Sequence, residues 1–318
     1  MSTEGGTRAI IAALSANLGI AVTKFGAFLL TGSSSMLAES IHSVADSGNQ
    51  VLLLIGGKRA ARAADEEHPF GYGRQRYVYA FLVSIVLFSV GGLFAIYEGV
   101  HKWQHPEPIT EWAWVPVAVL LVAIGLEGFS FRTAVRESNV TRGSRSWVEY
   151  VRTAKAPELP VVLLEDTAAL IGLVFALIGV GLTLVTGNGR WDAVGTLLIG
   201  LLLVAVALVL GIEMNSLIIG ESASKEAVVR IREALVGGAV ESVIHMRTMH
   251  LGPEELLVAA KIGVRASDSA AEVAAAIDEA ERRVRAVEPL ARVIYLEPDI
   301  RRPGAPTADP TLDRRGSA

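Results

Sequence analysis

The sequence predicts a helical membrane protein of six transmembrane helices followed by a small soluble α+β domain. Three observations carry that prediction. Of the 318 residues, 51% are hydrophobic and only 19% are charged, and the mean hydropathy is +0.44, too apolar for a soluble chain of this length. The apolar residues are gathered into long runs that end near Leu217. Beyond that point the charge density is that of a soluble protein. The expected division is a membrane domain over 1–220, a soluble domain over 221–299 and a tail over 300–318.

A spanning helix needs roughly 20 predominantly apolar residues. Runs of that kind fall at about 9–30, 34–57, 78–100, 112–131, 159–184 and 193–214. The start, MSTEGGTRAI, lacks a basic leader ending in a small-residue cleavage site, so the first run reads as a retained helix. Lys and Arg in the connections set orientation. Arg8 precedes the first span, Lys58, Arg59, Arg62, Arg74 and Arg76 follow the second, and Arg132, Arg136, Arg142, Arg145, Arg152 and Lys155 follow the fourth. The opposite connections carry only Lys102 and Arg190. Both termini are therefore expected on the cytoplasmic side. Trp103, Trp112, Trp114 and Trp191 then fall near the outer interface, where aromatic rings favour the headgroup level. The Ala-, Val- and Arg-rich usage and short loops suggest a bacterial inner membrane.

In the soluble third, KEAVVRIREALVG is amphipathic at helical period, VESVIHMRTMH and ELLVAAKIGV read as strands, SAAEVAAAIDEAERRVRAV as a helix and ARVIYLEP as a last strand. Ser269 and Glu272 fit a capping box, and Gly252-Pro253 fits a hairpin connection. The tail RRPGAPTADPTLDRRGSA has no apolar period and reads as disordered.

Composition also excludes chemistries. There is no cysteine, so disulfides, thiolate metal sites and thiol catalysis are ruled out together. The net charge of -4 and the absence of a basic stripe argue against nucleic acid. Neither HExxH nor GxSxG occurs, so an intramembrane hydrolase has no support and the protein is not expected to be an enzyme.

The unusual stretch is AESIHSVAD, which sets Glu39, His42 and Asp46 inside the second apolar run. His42 and Asp46 are four residues apart, hence on one helical face about 6 Å apart along the axis. Counted from Ser34, they lie roughly 12 and 18 Å into the span, a depth at which a charged group is costly and marks a functional site by default. The alternative is a hydrogen-bonded structural pair between helices. LPVVLLEDTAALIGLV places Asp166 roughly two turns into the fifth span, toward the depth of Asp46, with Glu165 rotated by about 100°. Its alternative is a carboxylate turned to another helix or to interfacial water. An imidazole with two or three carboxylates suits a divalent ion such as Zn²⁺ and also admits Mn²⁺, Fe²⁺, Co²⁺ or Cd²⁺. Protons compete for the same groups, which is the physical basis of exchange. Lys24 and Glu98 are expected to snorkel to the outer interface, and Glu127 to approach the opposite end of its helix.

NLGIAVTKFGAFLLTGSSSMLAESIHSVADSGNQ, DEEHPFGYGRQRY, LLEDTAALIGLV, WDAVGTLLIG and LIIGESAS together resemble the cation diffusion facilitators. The resemblance implies a six-helix, homodimeric metal-proton antiporter with a cytoplasmic ferredoxin-like domain that dimerises. It implies a tetrahedral transport site at His42, Asp46, Val162 and Asp166, and Val162 cannot ligate a metal. Glu165, Asn17 or water could supply the fourth ligand, and Glu165 is preferred. A second ion site, seen in some members, would fall on Asp65 and His68, with Tyr72 where a histidine is expected. The stretch DEEHPFGYGR also reads as a turn fixed by Pro69, Gly71 and Gly73. The expected function is proton-coupled export of a divalent cation, Zn²⁺ first. The competing reading, prompted by Val162, is a metal-responsive membrane scaffold that transports nothing.

Overall fold

The computed structural model describes residues 2–31, 34–106 and 114–300, with the side chains of 2–5, 30–31, 34–39, 41, 42 and 45 left out. The expected disordered tail, Trp112 and the side chains of Glu39 and His42 thus lie outside the described residues.

The membrane portion is helical throughout: α1 (Ser2–Thr31), α2 (Ser34–Ala60), α3 (Gln75–Val86), α4 (Phe94–Gln104), α5 (Trp114–Arg142), a short α6 (Trp147–Thr153), α7 (Glu158–Thr186) and α8 (Arg190–Ile219). A π-helical segment, Leu87–Leu93, joins α3 to α4 into one rod. Among the described residues, five helices are long and apolar enough to cross a membrane: Gly6–Leu29, Gln75–Gln104, Trp114–Arg142, Glu158–Thr186 and Arg190–Ile219. The 27-residue α2 is not one of the five. Its middle carries Ser40, Ser43, Asp46, Ser47, Asn49 and Gln50, which lower its hydropathy.

Two compact units result, Met1–Arg62 with Arg74–Ile218, and Ala63–Gly73 with Ile219–Ala318. In the first, α1 packs against α2, α5 and α7, α5 against α7, and α2 against α3. Ile10, Leu53, Tyr77, Val83, Val161, Val162, Leu210 and Met214 belong to its apolar core. Lipid offers no hydrophobic drive to helix pairing, so close backbone approach at small residues replaces it. A Cβ on Gly92 would lie 2.6 Å from Val204 Cγ2, and one on Gly200 would lie 2.8 Å from the Ile96 nitrogen. The outward faces are apolar: Val22, Phe129, Val185 and Ile212 are exposed. Polar side chains are instead buried, as a lipid-solvated bundle requires.

The second unit holds α9 (Lys225–Leu235), β1 (Ser242–Gly252), β2 (Glu255–Val264), α10 (Ala270–Val287) and β3 (Val293–Ile300). The sheet order is β1-β2-β3, with β1 antiparallel and β3 parallel to β2. Gly252 pairs with Glu255, closing the hairpin through Pro253. Alternation along β2 buries Leu256, Val258, Ala260 and Ile262 against Ile231, Leu235, Ala280 and Val284 of the two helices. The capping box is present: Ser269 Oγ accepts from the Glu272 amide, and Glu272 accepts from the Ser269 amide at 2.7 Å.

Residues 63–73, which the chain order alone places with the helices, group with this second unit. Asp65 organises them: Oδ1 accepts the His68 amide at 2.7 Å and Oδ2 accepts the Tyr72 hydroxyl at 2.7 Å, while Gly71 takes φ 73°. Both Asp65 oxygens are therefore engaged within the turn. Gly73 then meets the hairpin backbone, where a Cβ on Gly252 would lie 2.8 Å from the Gly73 Cα.

Gly252→Ala should lower stability of this unit by about 1–3 kcal/mol through overpacking, read as faster hydrogen exchange in the β1–β2 hairpin and in residues 63–73 of the full-length protein. Unchanged exchange would refute the contact. The Ser269 amide and hydroxyl hold the Glu272 carboxyl below its ordinary range. A depressed folded-state pKa stabilises above the unfolded value and is lost as pH falls through the folded one. Amides at the start of α10 should accordingly lose protection only on acidification below about pH 4; an Ala at 272 should lose it at neutral pH as well.

Candidate functional site

Ser43, Asp46 and Asn49 are three residues apart on α2, so each step keeps the face and descends about 4.5 Å. The polar contacts of the bundle follow these steps. At the Ser43 level, Lys24 Nζ of α1 donates to Ser43 Oγ at 3.2 Å, and Ser40 Oγ donates to the Ala21 carbonyl at 3.0 Å. At the Asn49 level, Asn49 Nδ2 donates to Glu165 Oε1 at 3.0 Å and Gln50 Nε2 to Glu165 Oε2 at 2.9 Å. Asn17 Nδ2 of α1 donates to Gln50 Oε1 at 3.3 Å. Each carboxylate oxygen of Glu165 thus receives one amide hydrogen from α2.

Asp166 turns the other way. Ser130 Oγ of α5 donates to its Oδ2 at 2.7 Å, and only 1% of the residue is exposed. The rotation of one residue on α7 sends Glu165 toward α2 and Asp166 toward α5. Asp166 is buried in the bundle rather than turned into lipid. Glu127 of α5, 2% exposed, lies in the field of Asp166, Glu165, Asp46 and Lys24. The Asp46 charge also acts on Glu165. Among the described residues no three His, Asp or Glu side chains meet at a single point. His42 belongs to α2 one turn before Asp46, and its side chain is outside the described residues. Val162 is fully buried among apolar side chains, so it packs where a ligand was expected.

Lys24 and Glu127 correct the sequence reading, which sent them to the span ends. Lys24 is 8% exposed and turned to α2. Glu127 falls in mid-helix because α5 continues to Arg142, about four turns beyond it. The signal available was the unbroken helical former run after the apolar segment, RTAVRESNVTR. One ion pair was not foreseen at all: Arg76 of α3 grips Glu158 of α7 through two hydrogen bonds, Nε to Oε1 and Nη2 to Oε2, the latter at 2.7 Å. Their side chains are only 8% and 7% exposed.

Residues 10–219 match the cation efflux transmembrane domain. The chain belongs to the cation efflux, or cation diffusion facilitator, family. It is an integral membrane protein of a transporter family and not an enzyme. It is 35% identical over 224 residues to the human protein named "Proton-coupled zinc antiporter SLC30A9, mitochondrial", covering 70% of this chain and 39% of the relative. It is 29% identical over 260 residues to Metal tolerance protein C4 of Arabidopsis thaliana, covering 80% and 56%. A third relative, Magnetosome protein MamB of Magnetospira sp. (strain QH-2), is 26% identical over 204 residues, covering 63% and 61%. The chain therefore spans about two fifths of the human relative and somewhat more than half of the plant one.

Arg76→Met should destabilise the bundle by about 3–5 kcal/mol, because it leaves the Glu158 carboxylate buried without its partner. Arg76→Met/Glu158→Leu should recover most of the loss. Thermal unfolding of the purified variants checks both, and an additive double variant would refute the pairing.

Proposed function

We propose that this protein exports a divalent metal cation in exchange for protons, with Zn²⁺ as the first substrate and Mn²⁺, Fe²⁺, Co²⁺ or Cd²⁺ as alternatives to be tested. One observation carries the reading: Glu127, Glu165 and Asp166 are buried in a lipid-facing bundle, and with half-buried Asp46 they bring four mutually repelling carboxylates from three helices within reach of one another's charge. Ionised carboxylates so close together in that environment are costly. A dication or bound protons neutralises them, and the two states exclude one another. The ligand set assigned is His42, Asp46 and Asp166, with Glu165 as a fourth donor. In this reading the helices draw the set together around the ion and release it as they open alternately to each side.

The same reading takes α2 as the sixth span, both termini as cytoplasmic, the membrane as a bacterial inner membrane, and 221–299 as a ferredoxin-like domain through which two copies form a homodimer. The relatives' printed names support zinc and proton coupling. Fully buried Val162 favours one competing reading, a metal-responsive scaffold without flux.

Reconstituted in vesicles, the protein should move Zn²⁺ against an imposed proton gradient. Asp46→Ala or Asp166→Ala should lower that flux by about 10–100-fold or more, and Glu165→Ala should weaken it. Normal flux in Asp46→Ala would sink the site, and Zn²⁺ binding without flux in the wild type would select the scaffold.

A further inference from the structure

Asn49, beside Glu165 and one turn along α2 from Asp46, holds an unexplained atom. The residue is 1% exposed, and its Oδ1 is buried with no hydrogen-bond partner among the described residues. Buried amide oxygens are rarely left unsatisfied, because the group has lost its water and gained nothing in return. The assignment of oxygen and nitrogen is not arbitrary here. Nδ2 faces Glu165 Oε1 at 3.0 Å, and an ionised carboxylate only accepts, so with Glu165 ionised, as in the metal-bound state, the amide presents its NH₂ to Glu165 and its carbonyl elsewhere. Glu165 is itself locked from the other side by Gln50. The orphan carbonyl is therefore oriented by a fixed hydrogen bond, one turn from Asp46 on the same helical face.

We propose that Asn49 Oδ1 is a direct ligand of the transported cation, one that tilts the site toward harder, oxygen-preferring ions such as Mn²⁺. The inference rests on the transport reading and adds to it a residue that sequence comparison at the expected ligand positions does not single out. A neutral carbonyl oxygen adds coordination without adding charge. Carbonyl and carboxylate oxygens suit Mn²⁺, whereas nitrogen ligands suit Zn²⁺. Val162 removes one donor position from the set, and the Asn49 carbonyl replaces it with oxygen. Mn²⁺, which accepts more oxygen ligands than tetrahedral Zn²⁺, gains the more from this exchange.

Two variants separate the oxygen from the amide hydrogens that hold Glu165. Asn49→Ala removes both, whereas Asn49→Asp keeps an oxygen at the same reach, loses the donor and adds a negative charge that strengthens binding of either dication. Competition binding of Mn²⁺ and Zn²⁺ to the purified full-length protein should show Asn49→Ala weakening Mn²⁺ about tenfold or more and Zn²⁺ threefold or less. Asn49→Asp should keep the wild-type ratio of Mn²⁺ to Zn²⁺ affinity. Equal weakening of both ions in Asn49→Ala, or no weakening, overturns the proposal. So does an equal fall of the Mn²⁺-to-Zn²⁺ affinity ratio in both variants, since the donor to Glu165 would then be the operative group. Wild-type protein that binds neither ion overturns the transport reading and this inference together; binding with an unaffected Asn49→Ala overturns this inference alone.

Discussion

The constraint on which the bundle depends is the cost of keeping carboxylates out of water. Glu165 shows how it is met: each of its oxygens receives an amide hydrogen from α2, at 3.0 Å from Asn49 and 2.9 Å from Gln50. While Glu165 is ionised these two hydrogen bonds are stronger than neutral ones, and stronger still where the dielectric is low. They tie α7 to α2, and Asn17 extends the tie to α1. Ser130 does the same for Asp166 and α5. The polar layer is thus also the mechanical junction of the helices that would have to move.

This arrangement links packing to function. In lipid, apolar side chains give no preference for helix over solvent, so specificity of assembly falls to hydrogen bonds and close glycine contacts. The two are separated in this bundle. Glycines at 92 and 200 set the approach of the third rod to α8, and hydrogen-bonded polar groups join α1, α2, α5 and α7. The first pairing has no ionisable group in its glycine contacts and is rigid by shape. The second is held by groups that a cation or a proton would rearrange. Arg76 and Glu158 add a buried ionic clasp between α3 and α7. Lys24 places a buried positive charge near Ser43, one step along α2 from Asp46.

The second unit follows the rules of water. Its helices and strands are amphipathic, its core is aliphatic, and its caps are made by Ser and Glu side chains. Residues 63–73 join it through the Asp65-centred turn and the glycine contact with the hairpin. The α2–α3 connection is therefore part of the second unit in packing, though in the chain it lies between two helices of the first.

Much of this was legible in advance, because hydropathy and periodicity are local. Long apolar runs marked five helices that meet the criterion for spanning, the α-β-β-α-β order followed from alternation and helical period, and the Ser269–Glu272 box was visible as two letters three apart. His42, Asp46, Glu165 and Asp166 stood out because charge is rare in apolar runs. What could not be read was direction. Whether Lys24 snorkels or turns inward, whether Glu127 sits at an end or in the middle, and which of Glu165 and Asp166 faces α2 depend on helix rotation and neighbour identity, which no local pattern encodes. The Arg76–Glu158 clasp and the Asn49 carbonyl left without a partner join residues far apart in the chain or arise from a hydrogen bond made elsewhere. Sequence alone determined which apolar segments carry ionisable groups; tertiary packing decided which of those groups turn inward and what each of them touches, because in a low-dielectric interior the partner, rather than the residue type, sets the energy.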